Sequence, residues 1–282
     1  MEQTSEREHG AEGAMTIVLT GATAGIGRAT ASALAGRAAH LILHGLERED
    51  EVTGLLRAVS AEMRPGTRLD YFSADYGNPV DVARLVRRVH DVTDRIDLLV
   101  NNAGRPGAPT RTVNEAGTEM TLRANYLAPV QLTAGLIDLM GDRSHGRIVN
   151  VASATHLTAT LHTDDLCLVR HRYSAPAAYA HSKLALVTYS RWLSSHRPRR
   201  GLDVVSMHPG VISTPLLHAM YRAAGDRPEH AAANIRHVAS LRGDNGAYYD
   251  ERTPAAANPQ ACDQPTQERL HDVTDLALWG GL

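Results

Sequence analysis

The feature of the sequence that most restricts its fold is a regular alternation of short apolar runs with longer segments of helical periodicity. The apolar runs are TIVLT, HLILHG, RLDYFSA, DLLVNNAG, GRIVNVAS and LDVVSMHPG. Strands that are apolar along their whole length, without polar alternation, are typical of a parallel sheet that is buried on both faces. The pattern therefore predicts a doubly wound α/β fold, in which a mostly parallel sheet has helices on both faces.

The length of the chain suggests a single domain. At 282 residues it has the size of one large α/β domain, and it contains no internal repeat and no linker rich in Pro or Ser. We predict a flexible N-terminal tail over residues 1–14, one α/β domain over residues 15–255 and a C-terminal extension over residues 256–282.

Charge and cysteine content exclude several classes of function. The formal net charge of -2 gives the chain no general attraction to nucleic acid or to anionic membranes. Cys167 and Cys262 lie far apart and lack the spacing of a disulfide framework or a metal site. Residues 1–14 lack the apolar core of a signal peptide, and no apolar run approaches the ~20 residues of a membrane helix. We therefore predict a cytoplasmic protein without a metal ion, a nucleic-acid partner or a membrane partner.

A glycine-rich segment, TIVLTGATAGIGRAT, joins the first predicted strand to the first predicted helix. Glycine permits a tight turn and a close approach of the backbone to a ligand, and a helix N-terminus offers free N–H groups to a pyrophosphate. The spacing is G-x-x-x-G-x-G rather than the general G-x-G-x-x-G, so a glycine-rich turn without a ligand is the alternative. We predict a dinucleotide site formed by Gly21, Thr23, Ala24, Gly25, Ile26 and Gly27.

The residues after the second predicted strand, HGLERED, are expected to contact the ribose of that dinucleotide. An acidic residue at this corner favours NAD, whereas a basic residue favours NADP because it binds the 2′-phosphate. Gly45 and Leu46 occupy the expected positions, and Glu47 and Arg48 follow with opposite charges. The sequence leaves the choice open, and we favour NADP(H) over NAD(H) because of Arg48.

Lys183 is the only lysine among the 29 lysines and arginines of the chain. A coding bias explains the excess of arginine but not this exception, for which chance is the alternative. Lys183 follows Tyr179 by four residues, in a segment with helix-start signals at Ser174 and Pro176. Residues four apart share one face of a helix, and a nearby cation lowers the pKa of a tyrosine. Tyr179 and Lys183 therefore form a candidate acid–base pair.

Six motifs, in order and at suitable separations, make the chain resemble the short-chain dehydrogenase/reductase family. They are TGATAGIG, NNAG at residues 101–104, Asn125, Ser153, YAHSK and HPGVIST. The resemblance covers residues 15–255. It implies a Rossmann-type fold and a NAD(P)(H)-dependent oxidoreductase that transfers hydride between the nicotinamide and a carbonyl or alcohol carbon. The long segment between Ser153 and Tyr179 is most similar to the retinol dehydrogenase-like branch.

The resemblance also implies roles for individual residues. Tyr179 matches the general acid–base, and Lys183 matches the residue that binds the nicotinamide ribose and lowers the pKa of the tyrosine. Ser153 matches the hydroxyl that polarises the substrate carbonyl, and Asn125 matches the asparagine that supports a water relay to the lysine. The positions that match further cofactor contacts are Asp75, Asn102, Ala103, Gly104, Ile212 and Thr214. Taken singly, such residues also fit turns or buried caps.

Two segments, residues 154–178 and 215–241, are expected to border the substrate cleft. They carry apolar residues and histidines: Leu157, Leu161, Leu166, Leu168, Leu216, Leu217, Met220, Tyr221, His156, His162, His171 and His218. Such a lining suits a hydrophobic ketone, aldehyde or alcohol, although apolar residues at this spacing are also typical of a core. His156 is the histidine nearest to Ser153 in the sequence, and a substrate-orienting role for it is a hypothesis.

The sequence therefore predicts a ketoreductase of secondary metabolism that acts on a hydrophobic small molecule. A non-catalytic dinucleotide-binding regulator is one alternative, but it would not need the set of Ser153, Tyr179 and Lys183. A sugar-nucleotide epimerase or dehydratase is another alternative, but such chains are usually longer and their glycine spacing differs. The resemblance also implies a homodimer or homotetramer, formed through the two long helices that precede and contain the catalytic residues.

Overall fold

The computed structural model describes residues 15–141, 146–196, 201–221 and 223–280. The tail predicted over residues 1–14 lies outside the described residues. Eight strands in the described part of the chain form one sheet. They are β1 (Met15–Thr20), β2 (Ala38–Gly45), β3 (Arg68–Ser73), β4 (Leu98–Asn101), β5 (Gly146–Val151), β6 (Leu202–His208), β7 (Tyr248–Asp250) and β8 (Thr253–Ala255).

The order of the strands creates a crevice at the middle of the sheet. The order is β3-β2-β1-β4-β5-β6-β7-β8, and only the pair of β7 and β8 is antiparallel among these strands. The chain therefore moves outward from β1 to β3 and then returns to place β4 on the other side of β1. Ligands of such folds bind at the carboxyl ends of the strands where the winding direction changes. The predicted mostly parallel, doubly wound sheet is confirmed.

Helices cover both faces of this sheet, as predicted. Their bounds are α1 (Gly25–Ala35), α2 (Thr53–Glu62), α3 (Pro79–His90), α4 (Met120–Leu122), α5 (Ala128–Leu136), α6 (Ala175–His196), α7 (Pro215–Met220), α8 (Pro228–Ser240), α9 (Pro259–Cys262) and α10 (Gln264–Trp279). Helices α1, α2 and α8 contribute to one core, and α3, α5, α6 and α10 contribute to the other. None of the described helices is long and apolar enough to cross a membrane.

The two cores explain why the strands show no polar alternation. On β1, Ile17 and Leu19 point into the core of α1, α2 and α8, whereas Val18 between them points into the other core. All three side chains are at most 1% exposed. Because both faces are removed from water, every position along the strand favours an apolar residue.

Residues of the predicted C-terminal extension, 256–282, complete the second core. Helix α10 packs along α6, where the ring of His271 stacks on Trp192 with 3.7 Å between ring centroids. The hydroxyls of Thr274 and Tyr126 form a hydrogen bond of 2.7 Å. Leu270 is only 1% exposed. The extension therefore packs against α6 and the Tyr126 turn.

Candidate active site

The loop between β1 and α1 is shaped to receive an anionic ligand. Gly21 and Gly25 have φ values of 66° and 51°, which glycine adopts without strain. A Cβ atom on Gly27 would lie 1.8 Å from the carbonyl oxygen of Gly21, so only glycine fits there. Among the described residues, no side chain caps the start of α1 and no acidic residue lies in its first turn. The free N–H groups of the helix therefore suit a pyrophosphate.

The end of β4 is fastened to this loop. The side-chain amide of Asn102 donates to the carbonyl oxygens of Thr20, at 2.9 Å, and Gly21, at 3.2 Å. In return, the Thr20 hydroxyl accepts hydrogen bonds from the backbone N–H groups of Asn102 and Ala103 at 3.1 and 3.0 Å. Thr20 is not among the sequence-predicted site residues, and its position directly before Gly21 is the signal that could have identified it.

Helix α6 brings Tyr179 and Lys183 together beneath the end of β5. The Lys183 Nζ atom lies 5.7 Å from the centre of the Tyr179 ring. The two residues are 8% and 3% exposed. The Lys183 ammonium donates a hydrogen bond of 2.8 Å to the carbonyl oxygen of Val151, the last residue of β5. Ser153 follows Val151 by two residues, and its side chain interacts with that of Tyr179. The three predicted catalytic side chains therefore lie together at the end of β5.

Burial shifts the pKa values of both members of this pair. It raises the pKa of Tyr179 above its ordinary value, and interaction with the Ser153 side chain offsets part of this effect. Burial lowers the pKa of Lys183 to about 8. The resemblance predicts that the lysine lowers the pKa of the tyrosine, but here burial of the phenol dominates and the ammonium is directed at Val151. In this arrangement Tyr179 is a protonated phenol at neutral pH.

Ser153 lies at the start of a short 3₁₀ turn that the C-terminal extension supports. Its hydroxyl oxygen accepts hydrogen bonds from the backbone N–H and the hydroxyl of Thr155, at 3.3 and 3.1 Å. His156 is fully buried, and its Nδ1 lies 2.7 Å from the carbonyl oxygen of Ser153. The backbone N–H of Asn258 donates to His156 Nε2 at 3.4 Å. His156 therefore holds the turn and does not face the cleft, contrary to the hypothesis of a substrate-orienting role.

Asn125 lies in a π-helical turn, Arg123–Leu127, between α4 and α5. Its carbonyl oxygen accepts from the N–H of Arg105 at 2.8 Å, and its amide donates to the carbonyl of Arg105 at 3.0 Å and to the Ser182 hydroxyl at 3.1 Å. A Cβ atom on Gly104 would lie 3.3 Å from Asn125 Oδ1 and 3.6 Å from Lys183 Nζ. The structure therefore places the end of NNAG, Asn125 and the lysine side by side.

The segment after β6 closes over the glycine loop. Gly210 has a φ value of 107°, and Ile212 is only 4% exposed. The hydroxyl of Thr214 accepts a hydrogen bond of 3.2 Å from the N–H of Leu217 at the start of α7. The Thr214 methyl carbon lies 3.2 Å from the position of a Cβ atom on Gly25. Thr214 thus lies beside the glycine loop, and the cofactor contacts of Ile212 and Thr214 stay predictions.

The two charged residues predicted to contact the adenosine half of the dinucleotide, Asp75 and Arg48, have different hydrogen-bond partners. Asp75 is exposed, and its Oδ1 accepts a hydrogen bond of 2.7 Å from the N–H of Gly77. The Arg48 side chain is 79% exposed and pairs with Asp50, with 3.1 Å between Nε and Oδ1. The carboxylate of Glu47, by contrast, lies 3.2 Å from the position of a Cβ atom on Gly45 at the end of β2. Glu47 is therefore the charged residue of this corner that lies against the end of β2.

The apolar residues predicted to line the cleft divide into two groups. Leu161 and Leu168 are each 5% exposed, and Leu161 belongs to the core beneath α6, so a structural role explains it. Met220, at the end of α7, accepts a hydrogen bond of 3.4 Å at its sulfur from the N–H of Gly107. This contact joins the segments that follow β4 and β6.

Tyr221, the next residue, is close enough to Tyr179 to raise the pKa of its phenol further. Tyr221 is partly buried. The segment that follows β6 therefore reaches Tyr179, and Tyr221 is the residue of this segment with an electrostatic link to it.

The other histidines of these segments lie away from the catalytic group. The rings of His162 and His171 stack with 3.6 Å between centroids, and His181 Nε2 accepts a hydrogen bond of 3.2 Å from the N–H of His162. His218 Nε2 lies 3.2 Å from the hydroxyl of Ser213 at the surface. Within the described ranges, no group of three His, Cys, Asp or Glu side chains is arranged to hold a metal ion.

Comparisons with known proteins agree with this geometry. Residues 15–224 match the family model described as short chain dehydrogenase. Human retinol dehydrogenase 13 is 30% identical over an alignment of 276 positions, which covers 90% of this chain and 82% of that protein. The Streptomyces sp. (strain C5) protein DnrU, to which a daunorubicin C-13 ketoreductase activity is attributed, is 31% identical over 96% of this chain and 94% of its own length.

Solved structures show the same architecture. A crystal structure of an uncharacterized protein from Mycobacterium paratuberculosis superposes with a TM-score of 0.76, at 24% identity, over 94% of this chain and 93% of that one. A short chain dehydrogenase from Burkholderia cenocepacia in complex with NADP superposes with a TM-score of 0.66, at 26% identity, over 84% of this chain and 95% of that one. The chain belongs to the short-chain dehydrogenase/reductase family, in its retinol dehydrogenase-like branch, and is a NAD(P)-dependent oxidoreductase.

Proposed function

We propose that this protein reduces the ketone of a hydrophobic small molecule and prefers NADP(H). The observation that carries the proposal is the meeting of Ser153, Tyr179 and Lys183 at the carboxyl end of the sheet, beside the glycine loop. Tyr179 carries its proton at neutral pH, which is the state that a proton donor to a carbonyl oxygen needs.

The crevice fits a nicotinamide dinucleotide. The space beside Gly27 and Gly21 admits no Cβ atom, and the start of α1 offers free N–H groups to a pyrophosphate. The residues that would hold the dinucleotide are Gly21, Thr23, Ala24, Gly25, Ile26, Gly27, Arg48, Asp75, Asn102, Ala103, Gly104, Tyr179, Lys183, Ile212 and Thr214. When bound, the nicotinamide supplies the hydride.

Residues of the chain would handle the proton. The Ser153 hydroxyl donates a hydrogen bond to the carbonyl oxygen of the substrate and polarises it. Tyr179 transfers its phenolic proton to that oxygen as negative charge develops there. The ammonium of Lys183, 5.7 Å from the ring centre, then stabilises the phenolate. Asn125 positions the backbone of Arg105, which directly follows Gly104, the residue that lies beside this ammonium.

The preference between the two cofactors depends on two side chains of opposite charge. Arg48 supports NADP(H), because its exposed pair with Asp50 is of the weak kind that a 2′-phosphate can replace. Glu47 supports NAD(H), because a carboxylate against the end of β2 accepts hydrogen bonds from a ribose diol. The Burkholderia structure in complex with NADP adds weight to the first choice. Lower KM values for NADH than for NADPH would assign the corner to Glu47.

The names of the relatives support a hydrophobic substrate. One is named for retinol, and the other has an attributed activity on a ketone at C-13 of daunorubicin. In this chain, Met220 and Tyr221 bring an apolar and an aromatic side chain to the cleft beside Tyr179. This combination supports a substrate with a large apolar body next to the reacting carbonyl.

The assembly and the cellular location are further parts of the proposal. We retain the prediction of a homodimer or homotetramer in the cytoplasm. Helix α10 packs on α6 and on Tyr126, so it lies beside the helices that the resemblance assigns to the interface. Light scattering coupled to size-exclusion chromatography measures the mass of the assembly directly.

The experiment that tests the function follows the absorbance of NADPH and NADH at about 340 nm with a panel of hydrophobic ketones, quinones and aldehydes. Tyr179→Phe should lower kcat by about a hundredfold or more, because it removes the proton donor. The matched control is Tyr189→Phe, which alters a buried tyrosine of the same helix that packs against Trp192 in the core. The control should keep its activity.

Two outcomes would contradict the proposal. Dinucleotide binding without turnover of any ketone, aldehyde or alcohol would favour the regulator. Equal activities of Tyr179→Phe and the wild type would remove the tyrosine from the reaction.

A further inference from the structure

Glu251 combines a strained backbone conformation with several hydrogen bonds of its side chain. It has a φ value of 54°, in the left-handed region that non-glycine residues rarely adopt. It lies in the turn between β7 and β8, and its N–H donates a hydrogen bond of 2.8 Å to the carbonyl of His208. A strained residue persists where its surroundings hold it, and such residues cluster at functional sites. The contacts of the Glu251 side chain show what the strained conformation achieves.

The Glu251 carboxylate joins two elements that are far from it in the sequence. Its Oε2 atom lies 2.7 Å from Nε2 of His230, in the first turn of α8. The same atom accepts a hydrogen bond of 3.1 Å from the side-chain amide of Asn234, which is fully buried. That amide also donates to the carbonyl oxygen of Pro209 at 3.1 Å. The other carboxylate oxygen lies 3.6 Å from the position of a Cβ atom on Gly210.

These contacts lie at the two ends of one segment of the chain, described over residues 211–221 and 223–227, which we call the cofactor-side segment. It contains Ile212, Thr214 and α7, begins after Gly210 and ends at α8. Its two ends also contact each other, because Ser213 N–H donates to the carbonyl of Asp226 at 2.9 Å and Asp226 N–H donates to the carbonyl of Val211 at 2.8 Å. The carboxylate of Glu251 therefore contacts His230 and Asn234 after the segment, and the Asn234 amide links it to the carbonyl of Pro209 before the segment.

We propose that Glu251 is a positioning residue that fixes the base of the cofactor-side segment, so that Ile212 and Thr214 are held against the glycine loop. The inference rests on the proposed function, because it assigns these two residues to the nicotinamide side of the crevice. Glu251 itself lies behind the Pro209–Gly210 turn and touches neither Tyr179 nor Lys183 in the described contacts. Its effect on the reaction is therefore indirect, through the position of the segment.

The test measures cofactor binding, amide exchange and thermal stability in four variants. Glu251→Ala removes the carboxylate but retains the strained backbone, and Glu251→Gly removes both the carboxylate and the strain. Glu251→Gln keeps one oxygen that can accept both hydrogen bonds but removes the negative charge. Glu229→Gln is the control, because Glu229 is an exposed residue of the same helix turn as His230 and pairs only loosely with Arg227, at 3.5 Å.

We expect the changes in the Kd for NADPH not to follow the changes in Tm. The Kd for NADPH should rise about tenfold in Glu251→Ala and Glu251→Gly, as for the loss of one charge-assisted hydrogen bond, and about threefold in Glu251→Gln. The amides of Ser213 and Asp226 should exchange faster in the same variants. The glycine variant should have a higher Tm than the alanine variant but bind NADPH no better, and Glu229→Gln should match the wild type.

Other results would overturn the inference. If the Kd follows the Tm across the alanine and glycine variants, Glu251 contributes only to stability. If the exchange of Ser213 and Asp226 is the same in all variants, the carboxylate does not hold the segment. If the wild type binds neither dinucleotide, the proposed function fails instead, and the exchange rates at Ser213 and Asp226 still decide whether Glu251 holds the segment.

Discussion

The ammonium of Lys183 and the carbonyl oxygen of Val151 are joined by a hydrogen bond of 2.8 Å, which ties the helix that carries Tyr179 to the end of β5. The only lysine of the chain thus has its charged group in a buried position, 3% exposed, with a backbone dipole as its partner. A compact ammonium can make this bond at the bottom of the crevice, where the larger, planar guanidinium of arginine has a different shape and hydrogen-bond geometry.

Because burial lowers the pKa of Lys183 to about 8, its titration should be visible near that pH. A protein labelled with ¹⁵N-lysine gives a single Nζ signal, whose titration midpoint we expect near pH 8. Between that pH and the ordinary value the unfolded chain binds more protons than the folded one, so the stability of the wild type should rise with pH. Lys183→Met should lack this rise. A midpoint at the ordinary value of a free lysine would contradict the burial of the ammonium.

One glycine substitution should weaken cofactor binding, and another should stabilise the fold. Gly27→Ala places a Cβ atom 1.8 Å from the carbonyl oxygen of Gly21, so the loop must move and the Kd for NADPH should rise about a hundredfold. In Gly54→Ala, on α2, the added Cβ meets no atom within 4 Å, and the protein should be stabilised by about 0.5–1 kcal/mol. Dinucleotide titration and urea unfolding measure both effects. Unchanged binding in Gly27→Ala would exclude the glycine loop from the cofactor site.

Asn125→Ala should reduce kcat as well as stability. The substitution removes both hydrogen bonds to the backbone of Arg105 and should cost about 1–3 kcal/mol in the free energy of unfolding. The control is Asn150→Ala, which removes a buried amide that bonds Asn101 and Ser190 within the core. Both variants should lose stability, but only Asn125→Ala should also lose kcat. An equal kcat for the two variants would assign Asn125 a purely structural role.

Two buried histidines should make the protein less stable in mild acid. Burial lowers the pKa values of His44 and His181 to about 4 each. The unfolded chain therefore binds more protons below about pH 6.5, and stability should fall by roughly 2 kcal/mol per histidine between about pH 7 and pH 5. Urea unfolding of His44→Gln and His181→Gln at the two pH values measures the effect. Each variant should lose less stability on acidification than the wild type, and equal losses would refute the assignment.

The sequence predicts those parts of the structure that depend on local patterns. The apolar runs mark the strands because both faces of the sheet are buried, and the start of α6 follows from Ser174, whose hydroxyl accepts a hydrogen bond of 3.3 Å from the N–H of Ala177. The glycine loop can also be predicted from the sequence, because the conformations of Gly21 and Gly25 depend on the residue type at single positions.

The parts that could not be predicted depend on contacts between distant segments. The closeness of His156 to Ser153 in the sequence favours a place in the cleft. In the structure, the backbone N–H of Asn258, 102 residues later, donates to His156, which lies in the interior. The direction of Arg48 depends on Asp50 and on the turn after β2, and no motif specifies these. The pKa of Tyr179 depends on how completely the fold buries the phenol, which a spacing of four residues to Lys183 does not reveal.

The contacts of Asn258 have a consequence for biosynthesis. Its side chain donates hydrogen bonds to the carbonyl oxygens of His156, Leu157 and Ala159, and these bonds hold the turn that follows Ser153. A ribosome that has just made Ser153 has therefore not yet made the residue that completes this turn. The residues that fasten the glycine loop, Thr20 and Asn102, are made much earlier, whereas Ser153 receives its final support late in translation. A truncated chain that ends before residue 258 would contain the glycine loop but lack the support of the turn after Ser153.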